Sequence, residues 1–397
     1  MKIRTGDPEM AREINRALVL NILRERDLLS RADIARALDL SKVTVSTIVT
    51  NLIKDELVEE RGTGNSMESG GRKPILLSLN SSRKYVIGLD IGTTNTVAAT
   101  ANLKGNHLHL TRRQTGDSLS VDSVLNQVQD LIEQAIRESE IDRAQILALG
   151  VSAAGIVDSA QGYIYFSPDF DWKDVDIKSM LEQQTGFPVV VDNCTRTMTL
   201  GEQWYGRLQD ARNVLYVNVG YGIGSALIFN KHIYSNHSEF GHSFVTKRRV
   251  RCHCGKYGCL EAVASGNAIE SQANELLGDK VGKKITAKML AAMARDGDRT
   301  ARRIFQNSGR YLGRAISTAT NLFNPDTIII GGGIALAGDL LLQSLVQEFR
   351  KQTMDIIQSG TRIELSSLGI DAGVSGAVAL ALNRFVFKSH LVNEIVH

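Results

Sequence analysis

Three glycine-rich turns, each fed by a β-branched strand, constrain this chain more than any other feature. "YVIGLDIGTTNTVAATA" (residues 85–101) reads as strand, glycine turn, strand. "VLYVNVGYGIGSALIF" (214–229) repeats that plan, and "DTIIIGGGIALAG" (326–338) reads as strand, glycine turn, helix. A single turn of this kind merely reverses a chain. Two β-turn-β loops in separate halves, with a third glycine cluster, predict a duplicated domain whose backbone amides clasp a phosphate chain. "LALGVSAAGIVD" (147–158) adds another strand that ends in a glycine-containing loop. "VVVDNCTRTMTLGE" (189–202) is a buried strand ending on Asp192, Asn193 and Cys194, ahead of a helix expected near Thr197. Polar groups at the carboxyl end of a strand in an α/β sheet are where ligands usually sit.

A chain of 397 residues exceeds one ordinary core, so two or three domains are expected. No stretch approaches the roughly 18 uninterrupted apolar residues of a membrane span. The start, "MKIRTGDPEMAREINR", lacks the apolar core of a signal peptide. The reading is a cytoplasmic protein with no membrane partner. The formal excess of +3 lies wholly in residues 1–84, with 15 Lys and Arg against 12 Asp and Glu; the remainder balances. That distribution suits a small nucleic-acid module on a neutral body.

The first eighty residues supply the module. "AREINRALVLNILRERD" places Ile14, Leu18, Ile22 and Leu23 on one helical face. "SRADIARAL" opens with Ser30 as N-cap and Asp33 three residues on, the pattern of a capping box. After Leu40 a second cap, Ser41, starts "KVTVSTIVTNLIKDEL", whose Val45, Ile48, Val49 and Leu52 follow core spacing. Helix, tight turn, helix at this spacing predicts a helix-turn-helix. The opposite face carries Val43, Thr47, Thr50 and Lys54, flanked by Thr44 and Ser46, and Ser41 and Lys42 at the helix start join Val43, Thr44, Ser46 and Thr47 as DNA-binding candidates. Small hydroxyls can bond base edges or phosphates, and Val43 can meet a thymine methyl group. "LVEERG" and "PILLSLN" read as the two strands of a wing. Arg72 and Lys73 in the intervening "GGRKP" suit a narrow minor groove, where negative potential attracts cations. The expected partner is double-stranded operator DNA.

Three of the four cysteines fall in "RCHCGKYGC". In a cytosolic chain such clustering favours a metal over a disulfide. His242 completes the pattern H-x9-C-x-C-x4-C with Cys252, Cys254 and Cys259. Three thiolates and an imidazole suit tetrahedral Zn2+, and a closed set of four protein ligands is structural rather than catalytic.

Taken in order, the winged helix, "LDIGTTNT", "GVSAAGIVD", "VDNCTRTMTLGE", "GYGIGS", "EFGH", "CHCGKYGCLEAVASG", "IIIGGGI" and "DAGVSGA" resemble the ROK family of repressors and sugar kinases. Within it the chain is similar to the transcriptional-repressor branch that includes the xylose and N-acetylglucosamine repressors. The resemblance implies an N-terminal winged helix-turn-helix plus an α/β actin-like (hexokinase-type) two-lobed body. The expected units are a DNA-binding domain with linker over 1–82, a first lobe over 83–195, and a second lobe with the zinc motif over 196–379. A C-terminal helix over 380–397 is expected to return to the first lobe. The resemblance further implies the zinc site, and a monosaccharide effector held by Asn193, Glu239, His242 and Glu261. Asp169 joins them where the family often has Asn. His242 would hold zinc with one ring nitrogen and a sugar hydroxyl with the other.

Kinases of the family follow that Asn with an Asp that takes the proton from the attacking sugar hydroxyl. Here the position is Cys194. A thiol ordinarily titrates at about 8.5 and is a poor substitute for a carboxylate base. Thr93, Asn95, Ala154 and Tyr221 also depart from the family pattern, and "NKHIYSNHSEFGH" is shorter than its counterpart. The expectation is therefore no catalytic residue and no enzyme: a homodimeric, sugar-responsive repressor for a pentose or hexose. The alternatives are a sugar kinase that also binds DNA and a repressor controlled by a protein partner.

Overall fold

The structure, a computed structural model, describes residues 8–64, 73–116, 118–234 and 238–388. Its first unit is α1 (Pro8–Glu25), β1 (Leu29–Ser30), α2 (Arg31–Leu38), α3 (Lys42–Lys54), β2 (Val58–Thr63) and β3 (Ile75–Leu79). Both N-caps expected from the sequence form. Ser30 and Asp33 make a reciprocal capping box, and Ser41 accepts the Thr44 N–H at 3.0 Å. Asp39, in the left-handed region, ends α2 and lets the chain turn directly into α3. Strands β1, β3 and β2 pair antiparallel in that order, giving the wing. The wing tip, Arg72 included, lies outside the described residues.

One expectation in α1 is corrected. Leu18 is exposed, and the buried residues are Val19, Leu20, Ile22 and Leu23. The helix is gripped from two sides, by its own domain and by the body, so a single-stripe reading misplaces its inner face. The hydrophobic core of the winged helix is continuous with Val86, Ala101, Leu103, Val378 and Phe387 of the body.

The first body sheet comes from β4 (Tyr85–Ile91), β5 (Asn95–Asn102), β6 (His107–Gln114), β7 (Ile146–Ala153) and β11 (Val189–Asn193). Between them run α4 (Val121–Glu138), the short strands β8 (Ile156–Asp158), β9 (Tyr163–Ser167) and β10 (Trp172–Val175), and α5 (Ile177–Thr185). Strand order is β11-β7-β4-β5-β6, with β11, β7 and β4 parallel and the β4–β5–β6 steps antiparallel. Helix α6 (Cys194–Tyr205) follows, and it starts at Cys194 rather than near Thr197, because Asn193 itself is the N-cap.

The second sheet repeats the plan. Its strands are β12 (Val214–Val219), β13 (Ile223–Phe229), β14 (His232–Ile233), β15 (Thr327–Gly331) and β16 (Arg362–Leu365). Their order, β14-β13-β12-β15-β16, has the same pairing directions in the same chain sequence as the first sheet. Helices α7 (Leu260–Ala264), α8 (Gly266–Val281), α9 (Ala287–Arg295), α10 (Arg299–Phe323), α11 (Asp339–Gln352) and α12 (Asp355–Gln358) complete this lobe. The α7–α11 side chains build the larger core, with Phe305, Leu312 and Ile316 buried against Ile328 and Ile330.

The last helix, α13, covers Ala372–Leu382 and continues as a π-turn through Asn383–Phe387. It packs on β4 and β7 of the first sheet. Residues 372–379, expected in the second lobe, therefore belong structurally with the first, and the helix starts before position 380. Residues 389–397 of that expectation lie outside the described residues. The segment Gly369–Phe387 is apolar enough to match a membrane span by composition, with mean hydropathy 1.4, but is 67% buried. Its apolarity is accounted for by a core helix flanked by sheet and α6. The fold is thus a winged helix-turn-helix on a duplicated, two-lobed actin-like body.

Candidate functional site

The DNA-facing candidates lie at the front of α3. Val45, Ile48, Val49 and Leu52 are buried, which turns Lys42, Val43, Ser46 and Thr47 to solvent. Val43 is 76% exposed, an apolar side chain with no intramolecular reason to face water. The Ser41 and Thr44 hydroxyls lie 2.8 Å apart at the helix N-terminus. Thr47 and Thr50 donate back to the carbonyls of Val43 and Ser46, leaving their oxygens as acceptors on the exposed face. Lys73 is exposed just before the second wing strand.

The cysteine cluster forms on a tight knuckle. The Cys252 N–H bonds the Lys256 carbonyl at 2.8 Å, and Gly255 sits in the left-handed region, folding Cys254 back toward Cys259. One ligand atom each of His242, Cys252, Cys254 and Cys259 lies within 4.8 Å of the others. Cys252 Sγ is 3.6 Å from His242 Nδ1, and Cys254 Sγ is 3.8 Å from Cys259 Sγ. Metal–sulfur bonds of about 2.3 Å in a tetrahedron put sulfurs about 3.8 Å apart, so the four atoms have the spacing a single ion needs. All four cysteines are free.

Beside the knuckle, Glu261 opens α7 and accepts the Ile223 N–H on Oε2 at 2.9 Å. Its Oε1 is 4.0 Å from His242 Nδ1, while His242 Nε2 faces Glu239 Oε2 at 3.8 Å. The imidazole therefore presents one nitrogen to the Cys252 thiol and the other toward Glu239. Asp169 reaches the same loop from the other lobe. A Cβ on Gly222 would crowd Glu261 Oε2 at 2.6 Å and lie in ordinary contact with Asp169 Oδ2 at 3.8 Å, so glycine there lets Glu261 approach and both carboxylates border the same turn. Burial, then the like charge of Glu261, raises the Asp169 pKa.

Asn193 has less freedom than expected. Its Oδ1 accepts the N–H groups of Thr195 and Arg196 as the cap of α6, and its Nδ2 donates to the Gly155 carbonyl at 2.8 Å. One N–H remains for a ligand. Asn193 and Glu239 line a small recess with Gly155 and Ser225, whereas Asp169 and Glu261 line a second recess with Tyr221 and His253. The structure thus brings the five candidates to adjoining walls, with His242 bridging them.

Between the lobes opens a cavity of about 750 Å³, walled by the first glycine turn with Thr93 and Asn95, by Tyr221, and by Gly332 and Gly333. Cys194 lies on its wall, half-buried, and its thiol is pushed up to about 12 by desolvation and then by Asp90 and Asp169. A thiol held so far above neutrality keeps its proton and takes none. The sequence reading missed two groups here. Asp90 stands near the end of β4, half-buried, accepts the Ser152 hydroxyl at 2.6 Å, and is raised to about 6 by desolvation. It sits inside the quoted "LDIG", and its strand-end position was the available signal. Gly155, whose carbonyl fixes Asn193, carries no side-chain signal at all.

A model of the ROK family matches residues 86–384, and one of the MarR family matches residues 13–65. The chain belongs to the ROK family. The "Putative xylose repressor" of Caldicellulosiruptor sp. (strain Rt8B.4) is 30% identical over 391 residues, covering 95% of this chain and 98% of that one. The crystal structure of a ROK family transcriptional regulator, a homolog of the E. coli MLC protein, matches with a TM-score of 0.83. It is 27% identical and covers 98% of this chain and 99% of its own. A ROK family glucokinase from Streptomyces griseus, in complex with glucose and AMPPNP, matches with a TM-score of 0.68 and 29% identity. It covers 75% of this chain and 99% of its own. The full-length likeness is thus to regulators, and the kinase likeness covers only part of the chain.

Proposed function

We propose that this chain is a cytoplasmic transcriptional repressor of carbohydrate-utilisation genes that binds operator DNA as a homodimer and answers to a monosaccharide without phosphorylating it. Cys194 carries the reading. Where kinases of the family place a carboxylate base, this chain has a half-buried thiol whose pKa is pushed up to about 12. Asn193, Glu239, His242 and Glu261, with Asp169, remain as partners for sugar hydroxyls, since carboxylates accept paired hydrogen bonds and the amide still donates one. The pocket is a receptor that has lost its chemistry.

Zn2+ is the ion we assign to His242, Cys252, Cys254 and Cys259, with a structural role: it would fix the loop from which His242 and Glu261 face the sugar. Ser41, Lys42, Val43, Thr44, Ser46 and Thr47 would read the major groove, and Lys73, with Arg72, the minor groove. Sugar closing the cleft would turn the paired winged helices out of register with half-sites about one DNA turn apart. A pentose is favoured among effectors, in line with the xylose-repressor relative.

The experiment is a thermal-shift screen with D-xylose, D-glucose and N-acetyl-D-glucosamine, followed by binding to DNA selected by the protein from a random pool. A stabilising sugar that also changes DNA affinity supports the reading. Specific DNA binding that survives deletion of residues 1–84 would sink it.

A further inference from the structure

Resting on the sensor reading above, we infer that helix α6 carries the sugar signal to the DNA-binding domain, and that Arg24 against Trp204 and Phe387 is the contact where it arrives. One end of this helix lies in the candidate sugar pocket. Asn193 caps it there through Thr195 and Arg196 and is pinned to the Gly155 carbonyl. Twelve residues at 1.5 Å each carry the helix about 18 Å to its far end. There the Arg24 guanidinium of α1 lies over the Trp204 ring, 4.1 Å from its centroid.

A second route reaches the same place. Helix α13 touches α6 backbone to backbone: a Cβ on Gly376 would stand 2.0 Å from the Thr197 carbonyl oxygen. At such separation neither helix can shift alone. Beyond α13, the Phe387 ring meets Trp204 edge-on at 5.6 Å, and its carbonyl accepts from Asn21 of α1 at 2.8 Å. The last turn of α6 is also tied to the interlobe cleft. Glu202, fully buried, accepts the N–H groups of Ser367 and Leu368, next to Gly369 and Ile370 in the cleft wall. Any movement that closes the lobes therefore bears on α6 at its N-cap and at its last turn.

The receiving contact is built to move. The Arg24 Nε and the Tyr205 hydroxyl are both buried there with no hydrogen-bond partner among the described residues. A seating that leaves buried polar atoms unpaired is weakly held relative to one that pairs them. The recognition helix α3 is not part of this contact, so the contact can be altered without touching the groups that face DNA.

The test compares the full-length protein with Trp204→Ala, Arg24→Ala and Trp204→Phe. Sugar affinity is read by thermal shift with D-xylose, D-glucose and N-acetyl-D-glucosamine, and DNA affinity by titration of the selected DNA with and without the sugar. Allosteric coupling typically changes affinity by about 5–150-fold. Trp204→Ala and Arg24→Ala should bring that ratio close to one while sugar and sugar-free DNA affinities stay within about threefold of the unchanged protein. Trp204→Phe, which keeps a ring under Arg24, should retain most of the response. If one alanine variant fails to fold, the other decides. Alanine variants that respond as fully as the unchanged protein overturn the inference alone. If no sugar alters DNA binding by the unchanged protein, the sensor reading falls and the inference with it.

Discussion

At the residue scale, two half-buried acids on the cleft wall, Cys194 and Asp90, differ in what they can do. The Cys194 thiol, raised to about 12, is neutral at every physiological pH, so the protein should show no phosphorylation of a bound monosaccharide with ATP. General-base assistance is typically worth about 10²–10⁴-fold. Cys194→Asp should restore little, since Tyr221, Thr93 and Asn95 still shape the phosphate side of the cleft. Cys194→Ser should leave sugar binding within a few-fold, whereas Glu239→Ala, losing the carboxylate that faces His242 Nε2, should abolish it in calorimetry. Asp90 gives a pH prediction. Its folded pKa, about 6, lies above the ordinary 3.8, so the folded state prefers the protonated form. Its contribution is most favourable below the unfolded value and is lost as pH rises from about 4 to about 6. By linkage the cost above that window is roughly 3 kcal/mol. Asp90→Asn, which can still accept from Ser152, should raise the melting temperature at about pH 7.5 and flatten its fall between about pH 4 and 6. An unchanged profile would show that another group sets it.

At the scale of elements, what the sequence disclosed was whatever is local. The helix caps, the recognition-helix stripe and the cysteine spacing each involve residues close together in the chain, and each appears where expected. What it hid is long-range. Asn21 meets the Phe387 carbonyl from 366 positions away, and that second face of α1 is why Leu18 was misplaced. The start of α6 was missed for a related reason: the same Asn193 that reads as a ligand also reads as a cap, and the structure uses it as a cap. The cysteine knuckle predicts about one equivalent of zinc per chain by metal analysis. Removing it by chelation should weaken sugar binding as well, because Glu239 and Glu261 are placed by the same loop. Stoichiometric zinc whose removal leaves sugar affinity intact would separate the two sites. For α3, Thr44→Ala or Thr47→Ala should change preference among major-groove bases, while Lys73→Ala, beside it on the wing, should weaken binding most at A/T-rich minor-groove positions. DNA selection with each variant distinguishes these outcomes.

At the scale of the whole molecule, the two sheets share one plan, with strand order and pairing direction repeated across the lobes, and the glycine turns face each other over the cleft. That architecture was legible because duplication leaves paired strand–turn signals. The seating of the winged helix was not, because its core merges with Val86, Ala101, Val378 and Phe387, which no local pattern links. A merged core makes the DNA-binding domain an extension of the body rather than a tethered passenger. The measurement that bears most directly on this account is operator affinity with and without saturating monosaccharide, with ATP turnover followed in the same sample. A sugar-sensing repressor should show a change in DNA affinity of about fivefold or more with at least one sugar and no turnover. Robust phosphorylation of the sugar, lost in Glu239→Ala, together with DNA affinity indifferent to that sugar, would contradict it.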